Sequence, residues 1–359
     1  MGLFSFRETL KVKPAIKGRG SPENPAGRFE RIDFVADGEA PAAEGAPQTV
    51  YYRDRTKTII SYNQSPDVSF DASVNPYRGC EHGCVYCYAR PTHEYLGLSA
   101  GLDFETKIFV KQNAPELLRK ELSSAKWVPK PIAMSGVTDC YQPAEKHFRI
   151  TRKCLEVLRE FQNPVGIVTK NYLVTRDLDI LSEMAEIDCA SVIISVTTLD
   201  GELSRKMEPR ASQPEYRLRA IARLADAGIP VTVLIAPVIP GLTDHEIPAI
   251  MKEASARGAQ DAGYVMLRLP YGVGDIFSSW LERHYPGRKK KVLGRIESMR
   301  DGELNSSEYS VRMRGKGIFA EQTERIFRVA YGKFGFSGRR APLDVSRFRR
   351  GGAGQLSLF

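Results

Sequence analysis

Three cysteines lie within eight positions of the segment RGCEHGCVYCYAR, residues 78–90. Cys80, Cys84 and Cys87 have the spacing CxxxCxxC, whereas the other cysteines are single: Cys140, Cys154 and Cys189. The sequence has no secretory signal and no apolar run of membrane-spanning length, so we expect a cytoplasmic protein without a membrane partner. Thiols stay reduced in that compartment. A tight group of them therefore indicates a metal-binding or catalytic site rather than disulfides.

The number of cysteines in this loop bears on which metal it holds. A structural zinc site needs four ligands, which usually come as two pairs far apart in sequence, and no second pair exists here. His82 is the available fourth ligand, but it would have to fold back past its neighbours. A [4Fe–4S] cube takes one thiolate per iron, so three cysteines leave one iron open for a substrate. The pattern favours such a cluster, with zinc as the alternative.

Short β-branched segments alternate with amphipathic segments between residues 72 and 286. The predicted strands are 131–136, 165–170, 191–198, 231–239 and 262–269, and the predicted helices are 145–161, 175–187 and 213–228. This alternation predicts a parallel sheet with helical crossovers, either a barrel or an open sheet. No phosphate-binding glycine fingerprint follows a strand, which disfavours a dinucleotide-binding fold. In a barrel, reactive residues lie at the C-terminal ends of the strands, where residues 136–139, Lys170 and Ser195 fall.

Composition divides the chain into four regions. We predict an extended arm rich in Gly, Pro and Ala over residues 1–65, the α/β region over 66–286, a basic and helical extension over 287–331, and a flexible basic tail over 332–359. The tail has six cations and one anion, and the whole chain has a formal net charge of +9. Excess positive charge favours polyanionic partners such as nucleic acid.

The segment CEHGCVYCY resembles the CxxxCxxC motif of the radical S-adenosylmethionine (SAM) superfamily, in which an aromatic residue follows the third cysteine. The resemblance implies a partial (β/α)6 TIM barrel and a [4Fe–4S] cluster held by the three cysteines. It also implies that the open iron binds the amino and carboxylate groups of SAM. One electron, from a flavodoxin- or ferredoxin-type donor, then cleaves SAM to a 5′-deoxyadenosyl radical. The protein would bind, orient and exclude water.

Within that superfamily, the segments CVYCYARP, SGVTD, VTK and SVTT are similar in order and spacing to spore photoproduct lyase and its relatives, often labelled DNA repair photolyases. The resemblance covers about residues 72–270. It implies that SAM is contacted by Gly136, Thr138, Asp139, Lys170, Ser195 and Arg210. A guanidinium such as that of Arg210 suits a carboxylate. Alternatively, Thr138 and Asp139 cap the next helix and Lys170 is a solvated charge.

Two tyrosines match those that relay a hydrogen atom in the lyase, Tyr86 and Tyr88. Tyr88 is equally suited to form a wall of the SAM pocket. The lyase also has a hydrogen-donating cysteine before its Thr-Ser-Asp segment, but Gly136 or Val137 takes that place here. Cys140 is the nearest substitute, and its alternative is a small buried side chain in the core. This departure leaves the substrate open.

The last five residues are Gln355, Leu356, Ser357, Leu358 and Phe359. They resemble the QL(S/D)LF peptide by which bacterial polymerases and repair proteins bind the DNA sliding clamp. Leu358 and Phe359 would fill an apolar pocket, and Gln355 would set the register. The alternative is that the peptide packs on its own barrel.

Cysteine loop, basic tail and terminal peptide together predict a radical SAM lyase that repairs a lesion in DNA and is recruited by the sliding clamp. Two alternatives remain. One is radical modification of a base in tRNA or another RNA, since a basic protein also suits structured RNA. The other is a DNA-binding scaffold, without enzymatic activity, that has a structural metal site.

Overall fold

The computed structural model describes residues 16–25, 27–29, 47–336, 338 and 342–350. The strands along these residues are β1 (Val50–Arg53), β2 (Ile60–Tyr62), β3 (Ala72–Val74), β4 (Tyr77–Arg78), β5 (Lys107–Val110), β6 (Ile132–Met134), β7 (Val165–Thr169), β8 (Ala190–Ser195), β9 (Val231–Val238) and β10 (Asp261–Met266). The α-helices are α1 (Leu102–Thr106), α2 (Ala114–Ser123), α3 (Glu145–Phe148), α4 (Ile150–Phe161), α5 (Leu178–Ala185), α6 (Gly201–Met207), α7 (Pro214–Asp226), α8 (Ile247–Ser255), α9 (Val273–His284), α10 (Pro286–Ser298), α11 (Val311–Arg314) and α12 (Gly317–Lys333). Short 3-10 helices span Arg90–Leu96, Tyr172–Asp177 and Asp244–Glu246.

The main sheet has seven strands in the order β10-β9-β8-β7-β6-β3-β2. Six of its strands run parallel to one another: β3, β6, β7, β8, β9 and β10. At the edge, β2 pairs antiparallel with β3. Helices lie between successive parallel strands along the chain. The predicted α/β fold with a parallel sheet is thus confirmed, and six parallel strands are those of a partial (β/α)6 barrel. A second, three-stranded sheet has the order β1-β5-β4.

All five predicted strands are present, as β6 to β10, but the first parallel strand was not predicted. This strand, β3, has only three residues, Ala-Ser-Val, which are too few to show a period. It is a strand because it pairs with β6, with Val74 opposite Met134. Its neighbour β2 lies within the region predicted as an extended arm.

The predicted helix over residues 145–161 is broken into α3 and α4. The break is at Arg149, whose backbone is left-handed with φ +53°. The buried Glu145 carboxylate accepts a hydrogen bond from the backbone N–H of Thr151 (3.0 Å), which lies in the first turn of α4. A carboxylate at this position satisfies a free N–H group and favours the start of a new helix.

The main core lies between the parallel sheet and the helices that cover it. Fully buried side chains come from four of these helices: Leu155, Leu158, Ile180, Leu181, Ile221, Leu224 and Ile250. Burial of each such side chain stabilises the fold by about 1.5–3 kcal/mol. As predicted, α7 begins at Pro214 and Gly228, with φ +72°, follows its end. None of the described helices is both long and apolar enough to span a membrane.

The two edge strands of the main sheet are linked by a side-chain bridge. Arg312, in α11, contacts Asp67 and Ser65 of the β2–β3 loop. The backbone N–H of Ser310 also donates to Asp67 (2.6 Å). Because α11 packs on β10, these contacts close the gap between the first and last strands.

The described part of the C-terminal tail, residues 342–350, packs against the base of the barrel, which is formed by the N-terminal ends of the parallel strands. The N–H of Arg349 donates to the Phe161 carbonyl (2.8 Å), and the N–H of Asp344 donates to the Asp188 carbonyl (2.9 Å). The Arg350 guanidinium donates to the Trp127 carbonyl (2.6 Å). This stretch of the predicted flexible tail therefore has defined contacts with the barrel. The terminal peptide, residues 355–359, lies outside the described residues.

Candidate active site

The three cysteines lie in one loop at the C-terminal ends of the parallel strands, which we call the mouth of the barrel. This cysteine loop, residues 79–89, runs between β4 and the 3-10 helix that begins at Arg90. Cys80 and Cys84 are buried, Cys87 is partly exposed, and all three are free thiols. Burial raises the pKa of Cys80 and Cys84, and the Asp139 and Glu208 carboxylates, respectively, add to this shift. The three thiols lie in one loop and have no disulfide partner.

A buried ion pair holds the cysteine loop in place. The Arg90 guanidinium donates to the Cys84 carbonyl (2.9 Å) and to the Glu105 carboxylate (2.6 Å), and both side chains are fully buried. The same guanidinium donates to the carbonyls of Ala100 and Gly101. Arginine suits this position because its planar group presents five donors in a fixed geometry.

Glu105 also fixes the segment that covers the loop. Its two carboxylate oxygens accept hydrogen bonds from the backbone N–H groups of Gly20 and Ser21, both at 2.9 Å. Gly83 lies against the carboxylate with φ +67°, and a Cβ there would be 2.7 Å from Glu105 Oε2. Only glycine fits this backbone conformation and this close approach without strain.

Asp139 joins the ends of β6 and β7. Its carboxylate accepts hydrogen bonds from Thr169 Oγ1 (2.7 Å) and from the backbone N–H groups of Lys170 (2.8 Å) and Tyr141 (2.9 Å). His82 Nδ1 lies 3.4 Å from its second oxygen. In this structure the predicted SAM contact at Asp139 thus has several protein partners, and its role toward SAM stays a prediction.

Both ring nitrogens of His82 contact polar side chains of the protein. Its Nε2 lies 3.0 Å from Asn171 Nδ2, while Asn171 Oδ1 accepts from the N–H of Leu173. This orientation makes Nε2 the acceptor and Nδ1 the protonated nitrogen that faces Asp139. Burial lowers the pKa of His82 to about 4, so the ring is neutral at pH 7. Both nitrogens are therefore engaged, which disfavours His82 as a zinc ligand.

Tyr86, between the second and third cysteines, belongs to a buried polar network. Its hydroxyl contacts the Glu208 carboxylate and lies 3.3 Å from Thr197 Oγ1. Glu208 is fully buried, forms an ion pair with Arg217 and accepts from Thr197 Oγ1 (2.9 Å). Burial raises the pKa of Glu208, and Arg217 opposes this shift.

Lys170 and Ser195, both predicted to contact SAM, end neighbouring strands beside this network. Lys170 Nζ donates to the Ala236 carbonyl (2.8 Å) and lies 3.5 Å from Glu208. Burial and the Arg217 guanidinium lower the pKa of Lys170 to about 8. Ser195 is buried, and its carbonyl accepts from Arg217 (3.2 Å). Lys170, Ser195 and Tyr86 are therefore brought together.

Tyr88 lies on the exposed side of the loop, at the loop that follows β6. Its hydroxyl donates to the Gly136 carbonyl, and the residue is 48% exposed. Gly136 has φ +122°, a conformation that favours glycine. Thr138 is buried next to it and donates to the Tyr77 carbonyl (3.2 Å). Exposure at the mouth leaves Tyr88 accessible to a ligand, whereas Tyr86 is buried.

Arg210 contacts the cysteine loop and the segment that precedes β1. Its guanidinium forms an ion pair with the buried Glu81 carboxylate (3.0 Å) and donates to Thr49 Oγ1 (3.1 Å). Its backbone N–H donates to the His82 carbonyl (3.2 Å). Arg210 thus has a carboxylate partner from the protein itself, and its predicted contact with SAM stays a prediction.

Cys140 is fully buried in the main core beneath the mouth. Its exposed fraction is 0%, and its carbonyl accepts from Thr151 Oγ1 (2.6 Å). This environment is that of the alternative role, a small buried side chain. Its predicted role as hydrogen donor stays untested, because nothing in the resting structure exposes the thiol to the mouth.

The residues present fit an iron–sulfur cluster better than a closed zinc site. Within the described part of the chain, no three His, Cys, Asp or Glu side chains are arranged to hold a metal ion directly. Zinc requires its thiolates about 2.3 Å away around one ion, whereas a [4Fe–4S] cube spreads its thiolates over separate irons. Three free thiols in one loop, which the Arg90–Glu105 ion pair holds in place, would bind such a cube.

Several residues of this site were not identified from the sequence alone. Glu208, Arg217 and Asn171 carry the buried network around Tyr86 and His82. Glu208 stands in the segment MEPR, which drew attention only because of Arg210. A glutamate and an arginine nine positions apart carry no signal of pairing until α6 and α7 are folded.

The comparisons with known proteins agree with this site. The profile described as "Radical SAM superfamily" matches residues 74–254, just over half of the chain. An uncharacterized protein of Mycobacterium tuberculosis is 33% identical over 277 residues, which cover 76% of this chain and 80% of the relative. The radical SAM Nα-GlyT isomerase of Pseudomonas phage M6 is 25% identical over 220 residues, 61% of this chain and 43% of that protein.

Among solved structures, spore photoproduct lyase has a similar fold. A variant of it with bound AdoMet and dinucleoside spore photoproduct superposes with a TM-score of 0.57 at 18% identity, over 80% of this chain and 79% of that one. At this identity the likeness shows the fold alone. The profile match over just over half of the chain leads to one conclusion: the chain belongs to the radical SAM superfamily, whose cofactors are a [4Fe–4S] cluster and SAM.

Proposed function

We propose that the protein repairs a lesion in DNA by radical SAM chemistry of the photoproduct-lyase type. The observation that carries this proposal is the placement of Tyr86 and Tyr88, which flank Cys87 and contact the segments that follow β8 and β6, respectively. A structure of spore photoproduct lyase, which has the same fold, contains the dinucleoside spore photoproduct. The order of the segments around the mouth in the sequence supports the same reaction class.

In this proposal the bound cofactors supply a 5′-deoxyadenosyl radical after one-electron reduction, and the chain controls where it reacts. Cys80, Cys84 and Cys87 hold the cluster. Gly136, Thr138, Asp139, Lys170, Ser195 and Arg210 are the proposed contacts to SAM. Lys170 Nζ lies 5.8 Å from the centre of the Tyr86 ring, so one proposed SAM contact and one proposed relay residue are neighbours.

Tyr86 is the better placed of the two tyrosines to pass on a hydrogen atom. Its hydroxyl is fixed by Glu208 and Thr197 and is shielded from water, so its bond to hydrogen keeps one orientation. Tyr88 is exposed and would contact the lesion or form a wall of the SAM pocket. In this proposal a hydrogen atom is returned to the product radical through Tyr86. Cys140 would act as the donor only after a movement that exposes its buried thiol.

The reaction is tested on the full-length protein under strict exclusion of oxygen. The cluster is reconstituted and reduced, SAM and ultraviolet-irradiated DNA are added, and dinucleotide lesions are followed by mass spectrometry. We expect lesions to disappear while 5′-deoxyadenosine forms. Release of 5′-deoxyadenosine with undiminished lesions would exclude this substrate while leaving the radical chemistry intact. Loss of lesions without SAM would contradict the mechanism.

The proposed partners are DNA, the sliding clamp and a flavodoxin- or ferredoxin-type reductant, all in the cytoplasm. Clamp binding is assigned to residues 355–359, and the resemblance of their sequence to the clamp-binding peptide supports it. The last residue described before them, Arg350, lies at the base of the barrel, where its guanidinium donates to the Trp127 carbonyl.

Deleting residues 355–359 separates recruitment from catalysis. We expect the truncated protein to repair a short irradiated oligonucleotide at the full rate, because the mouth is unchanged. Cells that carry it should be more sensitive to ultraviolet light, since the effective concentration of the enzyme at DNA falls. Survival curves and a clamp pull-down measure the effect. Unchanged clamp binding by the truncated protein would contradict the assignment.

A further inference from the structure

The exposed face of α10 carries a concentration of positive charge. Between residues 283 and 296 the chain has six lysines and arginines and no aspartate or glutamate. Three of these cations are exposed: Arg288, Lys290 and Lys291. Among the described residues, their side chains have neither an ion pair nor a hydrogen bond. Three charges on one helix are therefore available to a partner outside the chain.

Contacts of α10 place this helix next to the mouth. The Arg295 guanidinium forms an ion pair with Asp244 (3.2 Å), which lies in the segment after the C-terminal end of β9. On the buried face of the helix, Val292 and Ile296 belong to the same hydrophobic cluster as Cys84 of the cysteine loop. The helix is thus anchored both to a strand end at the mouth and to the loop that would bind the cluster.

Two glycines lie between the lysines on the exposed face. Gly294 follows Lys290 by four residues and Lys291 by three, and Gly287 precedes them by three and four, so these positions are neighbours on the helix surface. A Cβ at either glycine would meet no described atom within 4 Å beyond the helix backbone and the adjacent residues. Packing therefore does not require glycine here, although glycine destabilises a helix. The missing side chains leave the helix backbone open between the lysines.

Helix α12 shows how an ordinary solvated surface of this protein differs. Its 17 residues contain three cations and two carboxylates, whereas the 13 residues of α10 contain five cations and one carboxylate. On α12 the Arg328 guanidinium pairs with Glu324, four residues earlier (2.6 Å). Mixed charges of this kind keep a surface soluble without attracting a polyanion. The excess of one sign on α10 attracts polyanions.

We propose that the exposed face of α10, with Arg288, Lys290, Lys291 and the two glycines, binds the sugar–phosphate backbone of duplex DNA beside the lesion. Cations on a helix surface neutralise phosphates without reading the base sequence, which suits an enzyme that meets its lesion in many sequences. The open backbone at the glycines lets a phosphate approach closely between the lysines. The inference rests on the proposed function, because the charge specifies a polyanion and the repair reaction specifies DNA.

The test measures binding of a short, undamaged, fluorescently labelled DNA duplex to the full-length protein, so that no turnover is needed. The variant combines Arg288→Gln, Lys290→Gln and Lys291→Gln. We expect it to bind at least about tenfold more weakly than wild type. The slope of log affinity against log salt should become shallower by about 3, close to one for each lost cation. Its melting temperature should match that of wild type, because the three side chains have no described partners.

The matched control removes three exposed cations from α12, by Arg325→Gln, Arg328→Gln and Lys333→Gln. It changes the net charge by the same amount, so it corrects for the general attraction between a basic protein and DNA. We expect its affinity for the duplex to fall by less than about threefold. An equal loss of affinity in the two triple variants would overturn the inference, because no particular face would then bind the DNA.

Gly294→Leu tests whether the face itself is contacted. Leucine favours a helix more than glycine does, and a Cβ at this position has open space, so the melting temperature should stay the same or rise. The added side chain would stand between Lys290 and Lys291, so binding of the duplex should weaken severalfold. A purely structural role of α10 would not produce these opposite effects. Wild-type affinity in both Gly294→Leu and the α10 triple variant would overturn the inference.

Two further ligands identify the bound group. Wild type and the α10 triple variant should bind equally to a duplex with neutral methylphosphonate linkages, because the phosphate charge is absent. An RNA hairpin distinguishes the two nucleic acids. If wild type binds the hairpin more tightly than the DNA duplex, and the triple variant loses affinity for the hairpin alone, the partner is RNA and the inference is wrong.

The outcome can be told apart from that of the proposed function. If irradiated DNA is not repaired but the α10 triple variant still loses affinity for the duplex, the DNA-binding face stands and the repair reaction fails. If lesions are repaired while this variant binds and repairs duplex DNA as wild type does, the reaction stands and the inference is wrong. A lesion in an isolated dinucleotide, which lacks flanking phosphates, should be repaired equally by both proteins.

Discussion

Replacing Cys84 with alanine is expected to abolish reductive cleavage of SAM. Cys84 is buried and is the middle cysteine of the motif. Its backbone carbonyl accepts a hydrogen bond from the Arg90 guanidinium. Removing one thiolate leaves two ligands for a cube that needs one per bound iron. We expect the reconstituted variant to lose its iron and its brown colour. Because SAM cleavage depends on the cluster, the rate of 5′-deoxyadenosine release should fall at least about a thousandfold below that of wild type.

The matched control for this variant is Cys154→Ala, which removes a buried thiol of α4 in the main core. It should keep full iron content and SAM cleavage. Its free energy of unfolding should decrease only slightly, because removing one sulfur atom leaves a small cavity. Iron analysis, electron paramagnetic resonance of the reduced protein and chromatography of the nucleosides decide the matter. A Cys84→Ala variant that still binds iron and cleaves SAM would refute the assignment of the cysteine loop.

The second large effect is expected from Glu105→Gln. Its carboxylate is the charge partner of Arg90, and neither side chain is exposed. The amide is nearly the same shape but leaves the Arg90 cation buried without a counter-charge. Breaking a buried pair from one side costs about 3–5 kcal/mol of the free energy of unfolding. Because the same carboxylate holds Gly20 and Ser21 over the loop, cluster content should fall as well.

Glu324→Gln is the control for this effect. It breaks the Glu324–Arg328 pair of α12, whose side chains are both mostly exposed. Such pairs contribute less than about 1 kcal/mol, so its unfolding curve should overlay that of wild type. Urea unfolding of the protein before cluster reconstitution measures both variants. Equal stability of Glu105→Gln and wild type would show that the buried pair does not anchor the loop.

Much of the barrel could be predicted from the sequence because its signals are local. The strands β6 to β10 are short runs of β-branched residues between amphipathic helices, and each run carries its own pattern. The spacing of Cys80, Cys84 and Cys87 also lies within one loop, so it specified three thiols near one another before any fold was known. β3 was not predicted because three residues show no periodicity. It is a strand only through its pairing with β6.

The surroundings of the cysteines were decided by the tertiary structure. Tyr86 and Glu208 are 122 positions apart, and Arg210 and Thr49 are 161 apart, so no local pattern indicates either contact. The same holds for Cys140, whose sequence position suggested the mouth but whose thiol is packed in the core. The spacing of the cysteines in the sequence determined which thiols can bind a cluster, since residues of one short loop stay close together in any fold. Which charges are paired and buried, as at Glu81 and Arg210, depends on distant segments meeting, and only the folded chain brings them together.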